Sequence, residues 1–184
     1  MNFPMIILFM ILSAGLAFLF DKPARNFYWA VCAVNFALLF AVSAFSAWMW
    51  DDGIIPINRD QYWYVETARN IREMLEVSVT AADYSAAVGL QNRLYNIILG
   101  WIAYGDSGVS LLSFRGFNVF VFLVIVYLGW RMTEELYHDP ELSRWTVAVL
   151  GLLPSVNLYS MFVLRDVLIG GLLLAFFYAI LSKR

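Results

Sequence analysis

The sequence is poor in the residues that usually carry metal and redox chemistry. It has one histidine, His138, and one cysteine, Cys32, in 184 residues. A single cysteine forms no intrachain disulfide, and one inside an apolar run is ordinarily a small apolar residue. One Cys and one His cannot build a zinc site of those types. A metal would have to be held by carboxylates. Charge is scarce as well. Asp, Glu, Lys and Arg make up 14% of the chain, against roughly a quarter in a soluble domain. The net charge of −2 leaves no basic footprint for nucleic acid. Glycine-rich phosphate loops, nucleophile elbows and internal repeats are all missing.

What is abundant is apolar. Hydrophobic residues are 62% of the chain, and seven Trp and ten Tyr stand among them. A domain this small has too much exterior to hide that surface. The apolar residues also fall in long runs, so lipid is the expected solvent for much of the exterior. The fold expected is all-α, a polytopic transmembrane helical bundle in one domain over residues 1–184. About five spans are predicted, at residues 3–20, 27–50, 111–130, 145–162 and 165–181. Residues 3–20 lack a positively charged lead and read as a retained span rather than a signal peptide. Trp48 and Trp50 mark a membrane boundary. Arg131–Arg144 reads as a polar loop. Pro154, Ser155 and Asn157 predict a break in the last apolar tract.

Residues 51–107 form the long polar loop. Its middle predicts an amphipathic helix from Asp60, with Tyr64, Ala68, Ile71 and Leu75 on one face. Arg69–Glu73 and Arg72–Glu76 are four apart and can pair. Asn58 with Gln61 reads as a capping box. A second amphipathic stretch, 87–104, places Leu90, Leu94, Ile97, Trp101 and Tyr104 together along the interface. Lys22, Arg25, Arg131, Arg144, Lys183 and Arg184 fall on one side, which faces the cytoplasm by the positive-inside rule. The 51–107 loop, with its juxtamembrane helices, then faces outward, and the membrane expected is a bacterial inner membrane.

Asp51, Asp52 and Asp60 are the candidate chemistry of that loop. A carboxylate there can serve as general base to a hydroxyl, or join a second one on a divalent ion. The plainer readings are an ordinary Asp-Asp-Gly turn and a helix start favoured by its dipole. Arg165 and Asp166 interrupt an apolar tract. A charge at the centre of a span costs about 3 kcal/mol, so they either meet an anionic phosphate or mark the outer boundary, with Asp166 capping the last helix. Arg93 and Arg115 read as snorkelling from span ends. Tyr62-Trp63-Tyr64 reads as an interfacial anchor, and otherwise as a platform for sugar rings.

Asn58 to Ile71, with Arg59-Asp60-Gln61-Tyr62-Trp63-Tyr64 at its head, resembles the first outward loop of GT-C-type membrane glycosyltransferases. The group includes the protein O-mannosyltransferases and the lipid A aminoarabinose transferase. Ile97–Leu128, with its Gly-Asp-Ser-Gly turn, and Pro154 to Asp166 are similar to later segments of that family, so the likeness covers about residues 45–181. The resemblance implies the N-terminal part of such an enzyme, either truncated or one part of a split enzyme completed by a protein partner. It implies a polyprenyl-phosphate sugar as donor, and a lipid, glycan or protein hydroxyl as acceptor, in cell-envelope polysaccharide assembly. It makes Asp60 the catalytic base. Asp51, Asp52, Arg59, Tyr62, Arg93 and Arg165 become substrate-binding residues, an arginine among them holding the phosphate. No cofactor is required by it, although a divalent ion fits the carboxylates. Two other readings stand beside it. One is a non-catalytic scaffold or accessory subunit. The other is a fragment of a lipid-linked sugar transporter, resting on Arg93, Arg115 and Arg165.

Overall fold

The computed structural model describes residues 4–56, 60–77 and 93–182. Every regular element among them is helical. Helix α1 (Pro4–Leu16) runs into a 3₁₀ turn (Ala17–Leu19), followed by α2 (Lys22–Met49), α3 (Asp60–Val77) and α4 (Arg93–Gly105). Then come α5 (Leu111–Tyr137), α6 (Pro140–Leu152), α7 (Pro154–Ser160) and α8 (Asp166–Leu181).

Local chemistry sets the boundaries. Asp21 caps α2 by accepting from the N–H of Ala24 at 3.1 Å, and Pro23 sits in the first turn. Ser110 caps α5 and Asp139 caps α6 in the same way. His138 ends α5 in the left-handed region, at φ 51°. Pro154 divides α6 from α7, holding Leu153 extended before it. The break predicted there is present, and a second one follows at residues 161–165.

Helix α5 is the central post, with half of its length buried. α1 and α5 run in parallel. Gly116 and Phe117 meet Ile6 and Phe9 at one end, and Tyr127 and Trp130 stack near Phe20 at the other. α2 runs against α5, with Ser46 beside Arg115. α6 also runs against it, with Thr133 beside Thr146 and Gly129 beside Leu150. α8 is parallel to α5, from Gly171 beside Val121 to Tyr178 beside Arg131. α3 and α4 pack on each other across Ile71 and Gly100, which leave no room for a Cβ between them.

α2 and α5 are long and apolar enough to cross a membrane. The other three predicted spans are helical but shorter: 4–19 and α8 are apolar helices below spanning length, and α6 with α7 is broken at Pro154. The expected polar loop 131–144 is mostly helix. α5 continues to Tyr137 because Arg131 pairs with Glu134 at 3.0 Å and Glu135 at 3.2 Å, at helical spacing.

Candidate functional site

Helix α3 begins at Asp60, as its sequence predicts, and buries Tyr64, Ala68 and Ile71. Arg72 pairs with Glu76, but Arg69 turns back to Glu66 at 2.7 Å rather than forward to Glu73. Tyr62 and Trp63 are exposed, whereas Tyr64 is a core residue stacked edge-on against Tyr95. The anchor cluster thus splits, because the third residue of the run faces inward. On α4, Leu94, Trp101 and Tyr104 are the exposed side, while Tyr95, Leu99 and Ile102 are buried. The helix is amphipathic, but the face carrying Asn96 is the one that packs, and Leu94, Trp101 and Tyr104 stay outside.

Asp60 and Arg165 are brought onto one surface by two amides, Gln61 and Asn118, in roles that the sequence does not predict. Gln61, fully buried, donates from Nε2 to the Ile55 carbonyl at 3.1 Å, and its Oε1 accepts the N–H of Val163 at 3.3 Å. Asn118 on α5 donates to the carbonyls of Phe162 (2.6 Å) and Leu164 (3.1 Å), and Tyr95 donates to its Oδ1 at 3.2 Å. These bonds pin the 161–165 turn over α3 and α4. Arg165 and Asp166 are exposed at its end, with Asp166 opening α8. The Tyr64 phenol registers the result. Burial raises its pKa, the Arg165 charge lowers it, and the Asp60 and Asp166 charges raise it again. One cation and two carboxylates therefore act on the same phenol in the first turns of α3.

A second group lies on the other side of α3. A cavity of about 490 Å³ opens between α2, α3 and the first turn of α5, and Asp51, Asp52, Arg69 and Arg115 are among its lining. Asp52 accepts the N–H of Ile54 at 2.9 Å, and its charge acts on the Tyr62 phenol. Local desolvation of this exposed phenol, then the charge of Asp52, raise the Tyr62 pKa.

Arg115 overturns its expected snorkelling position, being 1% exposed. It donates to Ser46 Oγ (2.8 Å), Ser43 Oγ (3.3 Å) and the Gly53 carbonyl (2.9 Å). Gly53 adopts φ 68°, a turn that favours glycine and aims its carbonyl at the guanidinium. Two polar residues three apart in an apolar helix, Arg115 and Asn118, share a face; that spacing was the signal available in the sequence.

The candidate residues thus divide. Asp60 and Arg165 share one surface, while Asp51, Asp52 and Tyr62 belong to the other. Asn58, Arg59, residues 78–92 and the Arg93 side chain lie outside the described residues, and with them the predicted capping box. Among the described residues no three His, Cys, Asp or Glu side chains converge to hold a metal, so the divalent ion allowed by the sequence has at most the Asp51–Asp52 pair. Compared with family models, curated proteins and solved structures, the chain finds no match.

Proposed function

We propose that this chain is an integral membrane protein of GT-C-like character that transfers a sugar from a polyprenyl-phosphate donor to a hydroxyl. The observation carrying the reading is the hydrogen bond from the Val163 N–H to Gln61 Oε1, 3.3 Å, which puts Asp60 and Arg165 on one surface across 104 intervening residues. Asp60, exposed at the first turn of α3, is the base that takes the acceptor's proton. The acceptor oxygen bonds to the anomeric carbon as the bond from that carbon to the phosphate oxygen breaks. Arg165 holds the departing polyprenyl phosphate through charge-assisted hydrogen bonds. The chain crosses the membrane five times in this reading, with the 51–107 segment outside a bacterial inner membrane. Lys22, Arg25, Arg131 and Arg144 face the cytoplasm. The parallel and antiparallel order of α1, α2, α5, α6 and α8 supports the five passages.

A second reading is an accessory subunit of a larger enzyme. That reading draws on the exposed Leu172, Leu173, Phe176 and Phe177 of α8, a face that a partner helix would cover. One experiment separates the two. Membranes holding the chain, alone or with the products of neighbouring genes, receive radiolabelled polyprenyl-phosphate sugars, and label transfer is followed. Transfer by the chain is expected to fall roughly a hundredfold or more in Asp60→Asn, the scale of a lost general base. Undiminished transfer by a folded Asp60→Asn variant removes Asp60 from the mechanism. Transfer only with a neighbour makes the chain one part of a split enzyme.

A further inference from the structure

We propose that the cavity between α2, α3 and α5 binds a phosphodiester that also carries an amine, the headgroup chemistry of an aminophospholipid. This does not rest on the transfer reading, because Asp60 and Arg165 do not line the cavity.

The first observation is Arg115. Its guanidinium has five N–H donors, and the three described acceptors, Ser43, Ser46 and Gly53, are all neutral. Its Nε is buried with no hydrogen-bond partner among the described residues. No described carboxylate forms an ion pair with it. A charge withdrawn from water without a counter-charge is expensive to keep, and an anion beside Arg115 offsets that cost.

The second observation is the sign of the remaining lining. Arg69 is already neutralised by Glu66. That leaves buried Arg115 against exposed Asp51 and Asp52. A bare anion would meet two carboxylates for one cation, and a bare cation would meet the guanidinium. A zwitterion answers both, with its phosphate toward Arg115 and its ammonium toward Asp51 and Asp52. Ser110, Leu111 and Leu112, at the start of α5, line the same space, and the positive end of that helix dipole favours the phosphate end. The volume, about 490 Å³, falls in the range of small-molecule sites.

The test is native mass spectrometry of the full chain in detergent, titrated with three short-chain probes: dihexanoyl phosphatidylethanolamine, dihexanoyl phosphatidylglycerol and inorganic phosphate. The ethanolamine lipid is expected to bind roughly tenfold more tightly than the glycerol lipid, the scale of one charge-assisted contact. Asp51→Asn should narrow or reverse that preference. Ala47→Phe fills the cavity from an exposed position without touching the Arg115 hydrogen bonds, and should abolish binding of both lipids while leaving the chain folded. Arg115→Lys should weaken both lipids; if that variant does not fold, Ala47→Phe decides. Equal binding of the two lipids by the unaltered chain overturns the proposal, as does binding that survives Ala47→Phe. Inorganic phosphate binding as tightly as the ethanolamine lipid overturns the zwitterion assignment.

Discussion

Gln61 and Val163 are joined by a hydrogen bond of 3.3 Å, from the Val163 backbone N–H to the Gln61 side-chain oxygen, although 101 residues separate them in the chain. Through this bond the start of α3 and the turn before α8 share one surface.

Asn118 holds the same turn from the other side. Asn118→Leu would leave the Phe162 and Leu164 carbonyls and the Tyr95 hydroxyl without their partner. Each buried polar group left unmade costs about 1–3 kcal/mol, so a total loss of roughly 2–4 kcal/mol is expected after partial relaxation. Denaturant unfolding in detergent measures it. A change below experimental error would mean that the network does not stabilise the turn.

Gly100 faces Ile71 where α3 and α4 touch. Helix propensity favours Gly100→Ala, but the added methyl meets the Ile71 branch, and overpacking of this kind costs about 1–3 kcal/mol. In Gly100→Ala with Ile71→Ala the new methyl occupies space that the isoleucine vacates. The double variant should therefore lose less stability than the two single losses added together. Strict additivity would show that α3 and α4 move apart freely at this point.

Tyr62 should titrate late. Its pKa stands above the ordinary 10.0, through local desolvation of the phenol and then the Asp52 carboxylate. The raised folded value means that the neutral phenol is the form favoured by the fold. Any stability it contributes is fully present below pH 10.0 and is lost as pH rises through the higher folded value. A phenolate absorbance titration of the chain, less that of Tyr62→Phe, isolates this one ring. A midpoint at or below 10.0 would remove Asp52 as its partner.

Orientation is open to labelling. In a Cys32→Ser chain, Glu73→Cys and Glu141→Cys place exposed thiols on the two opposite ends. A membrane-impermeant thiol reagent added to intact cells should modify residue 73 and spare residue 141. The reverse pattern would invert the proposed topology, and labelling of both would break it.

The helix at Asp60 was legible because its apolar face repeats at helical spacing, and Tyr64, Ala68 and Ile71 are buried as that spacing predicts. The break at Pro154 was legible from proline's chemistry alone. Arg131 and Arg115 were not. A run of charge after a span reads equally as a loop or as a helix laced by its own ion pairs, and the protein has the latter. Arg115 near a span end reads as snorkelling until Ser43, Ser46 and Gly53 fold against it, contacts that span more than sixty residues. Gln61 was read only as a cap, and Asn118 only as part of a resemblance, because a buried amide is recognised by partners that local sequence does not reveal. Asp60 and Arg165 were each visible, but their meeting depended on those two amides.

The central position of α5 also orders the making of the molecule. α1 touches α2 through Tyr28, whose hydroxyl donates to the Ser13 carbonyl at 2.8 Å, but its main seat is on α5. While the chain is being synthesised, the first helix has its final groove only once Trp130 has been added. Until then α1 and α2 are guests awaiting a host, and whatever escorts the growing chain must keep both from taking other company.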